Sequence, residues 1–112
     1  MNWINLTDED QLQHLITQSN FSPQVIFKHS TRCNISSVVL NRLKGAKEKT
    51  VFDIYYLDLL AHRSLSNKIA AVFNEHHESP QVLLIKNGEC VYAESHLGIT
   101  IGELAEQVSS SN

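Results

Sequence analysis

The sequence predicts an α/β fold, a mixed four-stranded sheet flanked by helices in the order αβαβαββα, and three observations predict it. Apolar runs of strand length alternate with amphipathic stretches of helical period. Asn87-Gly88, set between two such runs, is a strong hairpin signal. One cysteine, Cys33, closes a strand run and opens a helical one. A crossover helix makes the strands it joins parallel, whereas a two-residue turn makes its pair antiparallel, so the sheet is mixed.

Thr7-Asp8-Glu9-Asp10 reads as a helix start, a hydroxyl cap followed by acids where the helix dipole favours negative charge. Leu12, Leu15 and Ile16 are its buried face. Ser19-Asn20-Phe21-Ser22-Pro23 ends it and leads into a first strand, from Gln24 to Lys28. After Cys33, Ile35, Val38, Val39 and Leu43 recur at helical spacing, and Gly45 behind Arg42 and Lys44 stops that helix. Lys47, Glu48 and Lys49 form a solvated connection to a second strand, Val51 to Leu57, rich in β-branched and aromatic residues and interrupted by Asp53. A third helix runs from Leu65 to His76, with Ser64 as cap and Leu65, Ile69, Val72 and Phe73 on one face. Gln81 to Lys86 and Glu89 to Glu94 are the arms of the hairpin. Thr100-Ile101-Gly102-Glu103 is a capping box for a last helix that buries Ile101, Leu104, Ala105 and Val108. The tail from Ser109 to Asn112 is expected to fray.

A chain of 112 residues buries one core and not two, so residues 1–112 form one expected domain. A net charge of −3 gives no general attraction to nucleic acid or to an anionic membrane, and neither is an expected partner. The N-terminal stretch lacks the basic and apolar regions of a signal peptide, and no apolar run approaches the ~20 residues of a spanning helix. A cytoplasmic location is expected. Cys33 and Cys90 are too few for a disulfide scaffold and lack zinc-finger or Cys-x-x-Cys spacing, which fits a reducing compartment.

Chemistry is expected at Cys33. Unpaired N–H groups and the positive end of a helix dipole favour a thiolate there, and Lys28, His29 and Arg32 lie close in sequence with no acid among them. The alternative reading makes Cys33 a small apolar filler.

Five stretches carry a resemblance: Lys28 through Ser36, Tyr55-Tyr56-Leu57, Ser66-Asn67-Lys68-Ile69-Ala70, His77-Glu78-Ser79-Pro80-Gln81 and Ser95-His96. With the order of elements, they resemble the bacillithiol-system redox protein family, the monothiol bacilliredoxin-like branch of the thioredoxin superfamily, over nearly the whole chain. The resemblance implies a thioredoxin-like fold and a protein that exchanges thiols with bacillithiol, a small cysteine-containing thiol, or removes it from modified proteins. It implies Cys33 as the attacking thiol and Ser36 at the position where dithiol relatives carry a resolving cysteine. It implies a cis Ser79–Pro80 bond packed against the cysteine, and a substrate held by Thr31, Ser79, Pro80 and Ser95. No tightly bound cofactor is implied; bacillithiol or a similar low-molecular-weight thiol is a co-substrate, S-thiolated proteins are clients, and a monomer is expected. Two positions depart from the family pattern. Asn34 stands where proline is usual, which loosens the first helical turn while adding an N–H near the sulfur, and Leu97 stands where an aromatic is usual after Ser-His.

The hairpin tests this placement independently of the resemblance. A two-residue turn pairs Lys86 with Glu89 and Ile85 with Cys90, and so outward until Pro80 faces Ser95 and Ser79 faces His96. Cys90 then lies roughly 17 Å down the sheet from Pro80, beyond the ~7 Å that a disulfide allows between Cα atoms. Arg32 and Asn34 flank the thiol in sequence, and His29 and His96 are candidates to tune it, as a cation when protonated or as a proton acceptor when neutral. The alternative is that each histidine simply caps a loop or faces water. His62, His76 and His77 with Cys33 lack a helical i, i+4 pair, and no metal is expected. Arg63, Ser66 and Asn67 fit a solvated helix start as well as they fit the family. Asp53 reads as a strand-bend carboxylate, with a buried proton acceptor beneath the thiol as the alternative. Two functions stand: a monothiol oxidoreductase, or a non-catalytic module that binds a small thiol or peptide beside Cys33 and Pro80.

Overall fold

The computed structural model describes residues 2–45 and 52–110. The expected Lys47-Glu48-Lys49 connection, Val51 and the last two residues of the tail lie outside the described residues. Along the chain come β1 (Trp3–Asn5), α1 (Glu9–Gln18), β2 (Gln24–His29), α2 (Asn34–Lys44), β3 (Ile54–Asp58), α3 (Arg63–Phe73), β4 (Gln81–Lys86), β5 (Glu89–Ser95), a 3-10 turn at His96–Gly98 and α4 (Ile101–Ser110).

Among the described residues the sheet has five strands, not four, in the order β1-β3-β2-β4-β5. The additional strand is β1, which pairs in parallel with β3 through Trp3↔Ile54, Ile4↔Tyr55 and Asn5↔Tyr56. Three residues are too few to display the period-two alternation by which a strand is read, so Trp-Ile-Asn carries no local signal. As expected, β2 runs parallel to β3, and β4 runs antiparallel to β5.

The alternation along β2 divides the core. Val25 and Phe27 face Val39 and Leu43 of α2 and Ile101, Leu104 and Val108 of α4. Ile26 faces the other way, toward Leu12 and Leu15 of α1 and Leu65, Ile69 and Phe73 of α3. Each such fully buried side chain contributes about 1.5–3 kcal/mol.

Helix faces differ from the sequence pattern in one consistent way. On α2 the buried stripe is Ser36, Val39 and Leu43, while Ile35 and Val38 are exposed. On α3 it is Leu65, Ser66, Ile69 and Phe73, while Val72 is exposed. Each inward serine has a polar side chain opposite its hydroxyl, His29 of β2 for Ser36 and His77 for Ser66, as described below. The third helix ends at Phe73 rather than His76, since Asn74 adopts a left-handed conformation with φ 52°, and it starts at Arg63 with His62 rather than Ser64 as cap. On α1 the cap is Asp8 rather than Thr7, its carboxylate accepting from Gln11 N–H at 2.8 Å. Thr100 does cap α4, its hydroxyl accepting from Glu103 N–H at 3.2 Å.

Asn87 and Gly88 both have positive φ, 53° and 77°, as a tight hairpin turn requires. Lys86↔Glu89 and Ile85↔Cys90 pair as the turn dictates, but the register then shifts and Leu84 pairs with Tyr92. Val91 is the extra residue. Gln81 therefore faces Ser95, and the expected Pro80–Ser95 and Ser79–His96 pairs are each displaced by one. Among the described residues no helix is long and apolar enough to cross a membrane.

Candidate active site

Strand β2 ends at His29, and Ser30-Thr31-Arg32 carries the chain to Cys33, the N-cap of α2. Cys33 has extended backbone angles and is half-buried; its N–H donates to the Ser30 carbonyl at 3.2 Å, and its own carbonyl accepts from Ser37 N–H at 3.1 Å. The thiol thus heads a helix whose first turn carries no acid. Thr31, Arg32 and Asn34 around it are exposed, with Asn34 the first residue of the helix.

Ser36 faces inward and is fully buried. Its hydroxyl accepts from Ser30 N–H at 3.1 Å and lies 2.7 Å from Nδ1 of His29. The Ser36 hydroxyl is therefore committed to holding the cysteine loop and the imidazole. His29 is buried too, stacked on Phe27 with ring centres 6.0 Å apart and 5.6 Å from the Tyr56 ring. Burial pushes its pKa down, Asp58 pulls it back up and Lys44 lowers it. The downward shift favours the neutral imidazole.

Lys28 does not join these cations. Being one residue earlier on the strand, it points through the opposite face, where it is fully buried and donates to the Ser66 carbonyl at 3.1 Å and to His77 Nδ1 at 3.3 Å. Burial lowers its pKa to about 8.

The pairing Lys28↔Gln81 brings the start of β4 to the end of β2, so Pro80 lies at the same end of the sheet as Cys33. The Ser79–Pro80 peptide bond is cis. His96 N–H donates to the Pro80 carbonyl at 3.0 Å, with His96 itself left-handed at φ 57°. Its Nε2 stands 3.6 Å from a carboxylate oxygen of Glu78, whose other oxygen is 3.9 Å from His76 Nε2. Ser95 N–H donates to the Glu94 carboxylate at 2.9 Å. The Ser79 hydroxyl is buried and finds no hydrogen-bond partner among the described residues. Leu97 is exposed, and its carbonyl, with that of Ile99, accepts from the Arg42 guanidinium at 3.0 Å, which fastens the 3-10 turn to α2.

Several other residues fall elsewhere. Asp53 is exposed and precedes Ile54, which pairs with Val25, so it lies at the far end of the sheet from Cys33. The carboxylate beside His29 is instead Asp58, its partner in the β2–β3 register. Nothing local in the sequence marks Asp58; only the alignment of the two strands does. With Tyr56, His62, Asn5, Leu6, Thr7 and Ala61 it lines an open cleft of about 230 Å³. Cys90 pairs with Ile85, which pairs with Gln24, at the end of the sheet opposite Cys33. Burial, reinforced by Glu75, pushes its thiol up to about 11. His62 caps α3, His76 faces solvent beside Glu78, and His77 faces Lys28. Among the described residues no three His, Cys, Asp or Glu side chains come together as metal ligands.

Comparison with known proteins bears on the family and the fold. The profile of the family described as Monothiol bacilliredoxin BrxC matches residues 4–104. A solved structure with a thioredoxin fold is 33% identical, superposes with a TM-score of 0.81, and is matched over 93% of this chain and 91% of its own. Thioredoxin of Schistosoma mansoni is 19% identical with a TM-score of 0.74, over 97% of this chain and 94% of that one. Thioredoxin of Malassezia sympodialis is 12% identical with a TM-score of 0.74, over 98% and 90%. The last two establish the fold alone.

Proposed function

Because the chain belongs to the monothiol bacilliredoxin family, thiol redox proteins here built on a thioredoxin fold, we propose that it removes bacillithiol, or a similar small thiol, from mixed disulfides on client proteins through Cys33. The Cys33 thiolate attacks the small-thiol sulfur of the mixed disulfide, a Cys33–small-thiol disulfide forms, and the client leaves as a thiolate. A second low-molecular-weight thiol then attacks that disulfide, carries the small thiol away and returns Cys33 as a thiolate. No electrons are left over and no bound cofactor is needed.

The observation that carries the reading is the state of Ser36. At the position of a resolving thiol stands a buried hydroxyl bonded to His29 and Ser30, and the other cysteine lies at the far end of the sheet. Cys33 has no intramolecular thiol to close upon, so its mixed disulfide must be reset from solution. The roles assigned are attack by Cys33, maintenance of the thiol loop by His29 and Ser36, flanking by Arg32 and Asn34, and docking of substrate along Thr31, Ser79, Pro80, Ser95 and His96. The unpartnered Ser79 hydroxyl supports docking there, since a buried polar group gains most from a ligand that pairs with it.

The test is to mix reduced protein with a bacillithiolated client and weigh both species. The expected result is transfer of the small thiol to Cys33, abolished in Cys33→Ser. A client left modified, or transfer that persists in Cys33→Ser, overturns the reading; saturable binding of the small thiol without transfer points instead to a binding module.

A further inference from the structure

The segment from Glu75 to Ser79 has no regular secondary structure, yet it delivers the Ser79–Pro80 backbone to the site. Two buried side chains hold it from beneath. Lys28 Nζ donates to His77 Nδ1 at 3.3 Å and to the Ser66 carbonyl at 3.1 Å, and Gln81 Nε2 donates to the His76 carbonyl at 2.9 Å. The Ser66 hydroxyl also lies 3.3 Å from His77 Nδ1. Lys28 and Gln81 are register partners on adjacent strands, so their side chains rise on the same face and grip consecutive residues of the segment.

An ammonium is an expensive choice for this position. Lys28 is completely buried, whereas an aliphatic side chain of similar length would fill the space with no desolvation cost. What the lysine adds is directed bonding to two elements at once, helix α3 and the segment before Pro80.

We propose that Lys28 is a positioning residue for the site: through Ser66 and His77 it fixes residues 75–79, and with them the Ser79–Pro80 backbone on which a disulfide substrate docks, without touching the reacting sulfurs. The proposal rests on the transfer reading given above. It gives the two residues of the Lys28-His29 pair different tasks, the histidine holding the cysteine loop through Ser36 and the lysine holding the segment before Pro80.

In Lys28→Met, the concentration of bacillithiolated client that half-saturates transfer should rise about tenfold or more, because a small misplacement of docking backbone is felt strongly. The maximal transfer rate and the rate at which iodoacetamide alkylates Cys33 should stay within about twofold of wild type, as the reacting thiol is untouched. The midpoint of urea unfolding should be unchanged or raised. His77→Leu should reproduce the half-saturation defect, and His77→Asn, which keeps an acceptor near the Nδ1 position, should restore it. Equal losses of maximal rate and alkylation rate, or wild-type half-saturation in Lys28→Met, overturn the proposal. Should wild-type protein fail to transfer bacillithiol, the functional reading falls, and hydrogen exchange decides this one separately. Amides of residues 75–81 should then exchange at least about tenfold faster in Lys28→Met; unchanged exchange overturns it.

Discussion

Two adjacent residues of one strand, Lys28 and His29, support the site from opposite faces of the sheet, and they do so with parallel chemistry. Each is a buried base bonded to a helix residue, His29 to the Ser36 hydroxyl and Lys28 to the Ser66 carbonyl, and burial lowers the pKa of each. They differ in reach. His29 bonds Ser36 only seven residues away and holds the loop that carries Cys33. Lys28 bonds Ser66 and His77, 38 and 49 residues away, and holds the segment that carries Pro80. The Cys33 half of the site is thus assembled locally, and the Pro80 half only once distant elements have packed.

The largest effect expected to separate the two faces is an alkaline one. The Lys28 ammonium is less favourable in the folded state than in the unfolded chain, so its charge opposes folding fully below about pH 8. That opposition fades as pH rises from 8 through 10.5, a relief of about 3 kcal/mol. Tyr55, Tyr56, Tyr92 and Cys90, all shifted upward, act in the opposite sense in this range. The measurement is therefore a difference. Urea unfolding of wild type minus Lys28→Met should move in favour of wild type between pH 8 and 10.5, and a flat difference would mean that Lys28 is not buried as a cation.

On the other face the corresponding test is Ser36→Ala. It leaves the Ser30 N–H and His29 Nδ1 without their buried partner, a cost of about 2 kcal/mol by denaturant unfolding. It should also quicken hydrogen exchange in residues 30–37 while leaving 75–81 unchanged. Spread of the effect to both segments would show that the halves are one cooperative unit, and the distinction between them would fail.

The difference in reach also sets what could be read from the sequence. The Cys33 helix, the parallel pair around it and the Asn87-Gly88 hairpin were legible because their signals are local: period, cap and turn. The short edge strand at Trp3–Asn5 was not, since it exists only through pairing with β3. The bulge at Val91 was not either, and it moved every partner of the upper hairpin by one. Ser36 and Ser66 interrupt their apolar stripes, which placed Ile35, Val38 and Val72 on the wrong face. The reason is that what each buried serine hydroxyl meets lies outside its helix, His29 on β2 for Ser36 and His77 for Ser66. Lys28, read as a neighbour of the thiol from its spacing, points away from it by the plain alternation of a strand.

Acid sharpens the comparison on a smaller scale. Burial lowers the pKa of His29 and also that of His77, with Lys28 adding to the second shift. A histidine harder to protonate when folded than when unfolded costs stability as pH falls from 6.5 toward its folded value. Below pH 6.5 both faces therefore weaken, whereas from pH 8 upward the Lys28 contribution opposes that of the upshifted tyrosines and Cys90. The loss should be less steep in His29→Gln and in His77→Gln than in wild type.

The smallest effect isolates Asp58, which belongs to the His29 face alone. Its charge raises the His29 pKa against the dominant effect of burial, and it is the in-register neighbour of His29 across β3. Its carboxylate also accepts from Leu60 and Ala61 N–H at 3.1 and 3.3 Å, contacts that an amide oxygen preserves. Asp58→Asn therefore removes charge while keeping the turn, and the His29 titration followed by NMR should move further down. His77, whose shift owes nothing to Asp58, should titrate as in wild type. Movement of both histidines would mean that charge on one face of the sheet is felt on the other, and that β2 couples the Cys33 and Pro80 halves electrostatically rather than keeping them apart.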